Sequence, residues 1–356
     1  MSASQADSPS HQKVRSLPFE AWPESDRRAW NAACQPAARL KRGGAAGHLK
    51  PVTRQTHERH YGNFLGCLDR NGLLRREAPA AANVTPENVD VYVAEAKARM
   101  SSTTVHVSIC CLRRVARYMV SGLDLAWLAE IGKDLALVAQ ARSKFDRVVL
   151  SGRLIEAGLT LIQEAEHSQT MTKLAQATQV RNGLMVAMLG FHPIRRKNFA
   201  ALEIGRSLVK IRGRWWIILS AAETKENRAD ERRVNKLLIP FIDRYLDRYR
   251  PVLIRPDSPP SALWLSSRHA ARIADKYVAT LIGATTLSTV GVKLSPHLFR
   301  TSAASAAAAY GGDNPYLGSA VLHNADPRVT LEHYNRATSL TAAESFRQIV
   351  RQYEKK

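Results

Sequence analysis

Between Ser295 and Ala337 the sequence reads SPHLFRTSAASAAAAYGGDNPYLGSAVLHNADPRVTLEHYNRA, and four of its side chains could act on a phosphodiester: His297, Arg300, His323 and Tyr334. A guanidinium offers a planar fork to two phosphate oxygens. An imidazole moves protons near neutral pH. A phenol becomes a nucleophile once its proton has an acceptor. His297 and Arg300 are spaced i,i+3, which places them on one face of a helix. Ser295-Pro296 predicts the start of that helix, with Ser295 as cap and Pro296 in the first turn. The small side chains from Thr301 to Ala309 suit close helix packing, and Gly311-Gly312 predicts the stop. Each of the four residues taken singly fits a basic helical domain with scattered His and Tyr; weight comes from their combination with two stretches upstream.

The first of these is GFHPIRRKNFAALEI. Pro193 and the apolar Phe199 and Leu202 put Arg195 at the start of a short buried helix, where a guanidinium is costly without an anion. That anion could be a phosphate or a core carboxylate such as Glu203. The second is AETKENRADERRV, between two strand candidates, which puts Lys225 on an exposed hairpin tip. A lone hairpin lysine is normally just solvated.

The elements that must position these groups follow from spacing. Pro23 to Leu40 shows helical spacing in Trp30, Ala33 and Ala37, ended by a turn at Arg42-Gly43-Gly44. A helix is expected from Thr53 to Asp69, burying Tyr61, Phe64, Leu65 and Leu68, with Asn71-Gly72 as stop. Thr85-Pro86 opens a helix carrying Val89, Tyr92, Val93 and Ala96. A third helix spans Thr103 to Val120, with the stripe Val105, Ile109, Leu112, Ala116 and Met119. Arg113 and Arg117 lie together off this stripe, facing either phosphates or solvent. Leu123 to Gln140 predicts one more helix or pair. Beyond a linker come helices at 151–166 and 171–189. Val209 and Ile211 precede an Arg-Gly turn, Trp215 to Leu219 is strand-forming, and Val234 to Ile239 is read as a further strand ended by Pro240. The remainder reads as helical.

Composition narrows the partner. The 356 residues carry 52 Lys plus Arg against 31 Asp plus Glu, a net charge of +21, and the pI is near 10.2. Such an excess, spread over several folded segments, points to nucleic acid ahead of a membrane surface. No apolar run is long enough to span a bilayer, and the N-terminal MSASQADSPSHQK lacks a signal-peptide core. Cys34, Cys67, Cys110 and Cys111 form no C-x-x-C pair and read as small buried or semi-buried residues of a reducing cytoplasm. His297, His323, His333 and Asp326 match no compact metal-ligand spacing, so neither metal nor cofactor is expected.

In order, the chain presents Pro-Ile-Arg195, Thr-Lys225 in a hairpin, His297-Leu-Phe-Arg300-Thr, Leu-His323 and His-Tyr334-Asn-Arg-Ala. This series closely resembles the tyrosine recombinases, the phage-integrase family, in outline from Pro51 onward and in motif detail over residues 190–337. Val321-Leu322-His323 stands where the family often has Leu-Gly-His, Asn198 where many members carry Glu, and the interval from His323 to Tyr334 is slightly long. The resemblance implies a mainly α fold with a small antiparallel β-sheet: a helical core-binding domain and an α+β catalytic domain forming a C-shaped DNA clamp. The expected divisions are an N-terminal extension at 1–49, partly flexible, a core-site-binding domain at 50–142, a linker at 143–149 carrying Lys144 and Arg147, and a catalytic domain at 150–356.

The chemistry implied is DNA cleavage and rejoining through a 3′-phosphotyrosyl link, without metal or ATP. Arg195 and Arg300 would hold the non-bridging oxygens, one such donor being worth on the order of 3 kcal/mol. Tyr334 would attack, His297 would take its proton, Lys225 would protonate the leaving 5′ oxygen, and His323 would hydrogen-bond the phosphate. Tyr310 and Tyr316 lack a matching motif. Phe346, Ile349, Val350 and Tyr353 form one apolar stripe, expected to dock into a neighbouring protomer of a tetramer on double-stranded DNA or else onto its own domain. The resulting expectation is a cytoplasmic, nucleoid-associated site-specific recombinase that integrates or excises a mobile element, with accessory DNA-bending proteins as possible partners. The alternatives are a type IB topoisomerase and a DNA-binding protein without catalysis.

Overall fold

In the computed structural model, which describes residues 16–39, 42–140, 147–310, 314 and 316–322, the first helix is shorter than its spacing predicts. α1 covers Glu24–Ala33 and stops at Cys34, so Ala37 is exposed and off the buried stripe that keeps Trp30 and Ala33. Pro36 cannot donate a helical hydrogen bond. The chain turns back at the glycines instead: Gly44 N–H donates to Gln35 O (2.9 Å) and Ala46 N–H to Ala33 O (2.8 Å). A Cβ on Gly44 would lie 2.2 Å from Ala32 O, so this approach requires glycine.

Four more α-helices follow among the described residues of the unit Met1–Ser143: α2 (Pro51–Arg70), α3 (Pro86–Arg99), α4 (Ser102–Met119) and α5 (Ala126–Leu137). Their starts and stops obey local chemistry. The Thr85 side chain accepts from Asn88 N–H and the Ser101 side chain from Thr104 N–H, each satisfying an orphan helix donor. Gly72, at φ 68°, takes the left-handed turn after α2. Tyr61, Phe64, Leu65 and Leu68 of α2, Val89, Tyr92, Val93 and Ala96 of α3, and Val105, Ile109, Leu112 and Ala116 of α4 form one core. Trp22, Trp30 and Ala46 belong to the same core. Asp26 of α1 is fully buried and accepts from Tyr61 Oη (2.8 Å) and Ala81 N–H (2.7 Å). Burial pushes its carboxyl above the usual range, opposed by those two donors.

The unit Lys144–Lys356 opens with α6 (Ser151–His167) and α7 (Lys173–Phe191). They pack at glycine: a Cβ on Gly158 would stand 2.6 Å from Gly183 O. α7 ends at Phe191, before His192-Pro193, because a residue preceding proline avoids helical geometry. After α8 (Arg196–Ala200) come β1 (Leu208–Ile211), β2 (Arg214–Leu219) and β3 (Asp230–Arg233), an antiparallel sheet in that order. Arg212 and Gly213, both at positive φ, make the two-residue turn between β1 and β2. The third strand is not the one expected at 234–239. Pro240 instead sits in the first turn of α9 (Ile239–Arg244), and the strand partner of β2 is the charged Asp230–Arg233. A π-helical turn and α10 (Arg250–Leu253) follow. Residues 254–274 are irregular rather than helical, since Pro256, Pro259 and Pro260 each remove a donor.

α11 (Asp275–Val290), α12 (Pro296–Tyr310) and α13 (Leu317–Leu322) finish the described chain. Leu298 and Phe299 of α12 enter the main core with Leu184–Leu189 of α7, Phe199 and Trp264. Ala303 and Ala304 pack against Leu322 and Val321, the use expected for small side chains.

Candidate phosphate-binding site

The site is built where α7 gives out. His192 to Arg195 run irregularly, and Arg195 caps α8, its carbonyl accepting from Phe199 N–H at 2.9 Å. The Arg195 guanidinium pairs with the Glu226 carboxylate, both partly exposed. The core-carboxylate alternative, Glu203, is instead taken by Arg206 and Arg272.

Glu226 lies in the connection between β2 and β3, next to Lys225. Ser220 and Glu223 open that connection with a capping box. Buried Thr224 then closes it: its Oγ1 accepts from Arg228 N–H (3.0 Å) and donates to Arg228 O (2.7 Å). Lys225 is exposed on this loop. The expected hairpin placement holds, and the loop ties Lys225 by sequence adjacency to the carboxylate on Arg195.

Arg300, five residues into α12, is 8% exposed. Its Nη1 donates to Pro193 O (2.6 Å), two residues before Arg195, and its Nη2 donates to Leu322 O (2.9 Å). Burial, then the charges of Arg195 and Arg232, pull its pKa down to about 10; Glu226 and Asp230 act in the opposite direction. Arg300 therefore stays charged at neutral pH among like charges. His297, three residues earlier, is exposed. The helical spacing puts both residues at the start of α12, at different depths.

Sequence reasoning missed three members of this cluster besides Asp230. Arg232 of β3 holds Asp230 with two bonds, Nε to Oδ1 (2.7 Å) and Nη2 to Oδ2 (2.9 Å), and its Nη1 donates to Val321 O at 2.9 Å. Residues i and i+2 share a strand face, so the opposite charges in Asp-Glu-Arg-Arg were the available signal. His192, buried against them, has its pKa lowered to about 4 by burial first and then by Arg232, with Asp230 opposing. Its Nε2 accepts from Asn235 N–H at 3.2 Å, so the neutral ring carries its proton on Nδ1. Glu226 is the third; it stood within the hairpin stretch, one residue from Lys225.

Among the described residues three guanidinium groups, Arg195, Arg232 and Arg300, thus meet two carboxylates, Glu226 and Asp230, a positive balance. Such a site suits a phosphate oxyanion. His323 and Tyr334 lie outside the described residues, as do Lys144, His333, Asp326 and the stripe from Phe346 to Tyr353. In the helical unit Arg117 is exposed, and Arg113 is half-buried with its Nε lacking a hydrogen-bond partner among the described residues. Arg147 is exposed. All four cysteines are free thiols, Cys67 and Cys111 buried, Cys34 and Cys110 half-buried. No helix of the described residues is long and apolar enough to cross a membrane.

No family sequence model and no curated protein sequence matches the chain. Solved structures do resemble it. The XerH site-specific recombinase bound to palindromic difH substrate, a post-cleavage complex, is 12% identical, with TM-score 0.58, covering 85% of this chain and 82% of that one. The XerH pre-cleavage complex with difH substrate is 12% identical, with TM-score 0.54, covering 82% and 79%. XerA recombinase is 14% identical over 85% and 94%, with TM-score 0.38. At these identities the likeness to XerH establishes the fold alone: a mainly helical chain with a small antiparallel sheet.

Proposed function

We propose that this protein is a site-specific DNA recombinase that cuts and rejoins strands through a 3′-phosphotyrosyl intermediate. The observation that carries the reading is the crowding of Arg195 and Arg232 around buried Arg300. Like charges repel one another, and an incoming phosphate would relieve them. The XerH fold, whose solved examples are bound to difH substrate, supports the same reading.

In the proposed reaction the scissile phosphate displaces Glu226 from Arg195 and settles between Arg195 and Arg300. The Tyr334 oxygen attacks phosphorus while His297 accepts the phenolic proton. The bond to the 5′ oxygen breaks, and Lys225 supplies the proton that this oxygen needs. His323 donates a hydrogen bond to the phosphate. The phosphodiester free energy is kept in the new link, so the reverse steps rejoin a second strand. Charge developing on the equatorial oxygens meets guanidinium groups already held in place, the arrangement that lowers such barriers most. Exposed Arg117 and Arg147, with Arg113 and Lys144, would follow the duplex backbone. The C-terminal stripe would link protomers in a tetramer, and the reaction would integrate or excise a mobile element in the cytoplasm.

Tyr334→Phe tests this reading. Incubated with nicked duplexes tiling the DNA beside its own gene, the wild type should become covalently attached at defined positions. The variant should form no covalent complex while binding DNA within about twofold of wild type, since only the attacking oxygen is gone. Attachment of the variant would show that another residue is the nucleophile.

A further inference from the structure

The contacts of Arg232 assign it a part in the site that motif reasoning gives to no residue of β3. Its side chain is 9% exposed, and its fork is fully engaged by Asp230 from the same strand face. The remaining arm reaches out of the sheet to Val321 O at 2.9 Å. The next carbonyl, Leu322 O, takes Arg300 Nη2, also at 2.9 Å. Two guanidinium groups from separate elements thus grip the successive carbonyls of Val321 and Leu322.

The grip ties two separate elements to one peptide. Arg300 is itself fixed by the same peptide on one side and by Pro193 O on the other. Movement of the Val321–Leu322 peptide would therefore shift the Arg300 fork.

We propose that Arg232, held by Asp230, is a positioning residue: it clamps the Val321–Leu322 peptide, and thereby sets the placement of Arg300. It touches no DNA in this account. The inference rests on the recombinase reading for its catalytic consequence, and on the contacts alone for the clamp.

The test is Arg232→Gln in the full chain, read three ways. Single-turnover cleavage of a nicked site at saturating DNA should fall roughly 10- to 100-fold, the effect of a displaced catalytic fork. Affinity for the same duplex should stay within about twofold, because the backbone-tracking charges are elsewhere. Hydrogen exchange should rise on the order of tenfold at the amides of 318–322, with that of α6 and α7 unchanged, as for local opening. Unchanged cleavage with unchanged exchange would overturn the proposal. So would loss of affinity together with faster exchange throughout the unit, which marks a residue needed only for folding. If the wild type cleaves no site, the recombinase reading fails, and the exchange at 318–322 decides the clamp by itself.

Discussion

The two units of the chain use arginine in opposite ways. In the helical unit Arg114 and Arg117 stand on the surface of α4, and a carboxyl, Asp26, is fully buried. In the second unit Arg181, Arg250 and Arg300 are 1%, 7% and 8% exposed. All three donate to backbone carbonyls, Arg181 also to the Asn182 side chain, yet they are not alike. Arg181 feels Tyr245 and Tyr277, and Arg250 feels Tyr245. Arg300 feels Arg195 and Arg232. A buried cation bonded to carbonyls is a structural strut; a buried cation crowded by other cations is a place prepared for an anion. Like-charge proximity, rather than burial, separates the two roles.

Replacing the struts and the crowded arginine should expose that difference. Arg300→Lys removes the fork, and strand cleavage on the nicked substrate should fall about 100- to 1000-fold. Arg250→Lys loses bonds to Ala262 O and Pro260 O. It should lower urea stability by about 1–3 kcal/mol and leave cleavage by the folded fraction within about twofold. Equal damage to cleavage by both variants would erase the distinction.

His192 probes the same cluster through pH. Its folded pKa of about 4 lies below an unfolded value near 6.5, so between these pH values the unfolded chain binds more protons. Its contribution is intact above about pH 6.5 and falls as the pH drops towards 4, by up to roughly 3 kcal/mol. Urea unfolding at stepped pH should show this slope, and His192→Gln should flatten it. A slope unchanged in the variant would place the titrating group elsewhere.

Glu226→Gln weakens the resident partner of Arg195. Cleavage at limiting DNA should rise roughly threefold to tenfold, since an ionic bond to the fork becomes a neutral one. Slower cleavage would mean that the carboxylate takes part in the working geometry. The smallest effect is expected on the surface of the other unit. Arg117→Gln should reduce the slope of log affinity against log salt by about 0.9 and leave single-turnover cleavage at saturating DNA unchanged. An unchanged slope would remove Arg117 from the phosphate contacts.

Much of this was legible before any coordinates. Thr85-Pro86, Asn71-Gly72 and the stripe of α4 were readable because caps, stops and periodicity act within a few residues. Arg195 at the mouth of α8 and Lys225 on its hairpin were readable for the same reason. The length of α1 and the third strand were misread where one signal outweighed another: Ala37 continued a pattern that Pro36 had already ended, and the apolar run at 234–239 looked more strand-like than charged Asp230–Arg233. β3 forms because Asp230 and Arg232 neutralise each other on one face.

The amino-acid order by itself determined which side chains could handle a phosphate and which local elements would carry them, because both depend on residue type and near neighbours. Only the tertiary structure decided that Arg195 meets Glu226 across 31 positions, that Arg232 reaches Val321 across 89, and that Arg300 spans 107 to Pro193. Partners that distant are selected by how helices and sheet pack around a shared core, and charge inside such a core is set by whatever the packing brings near it.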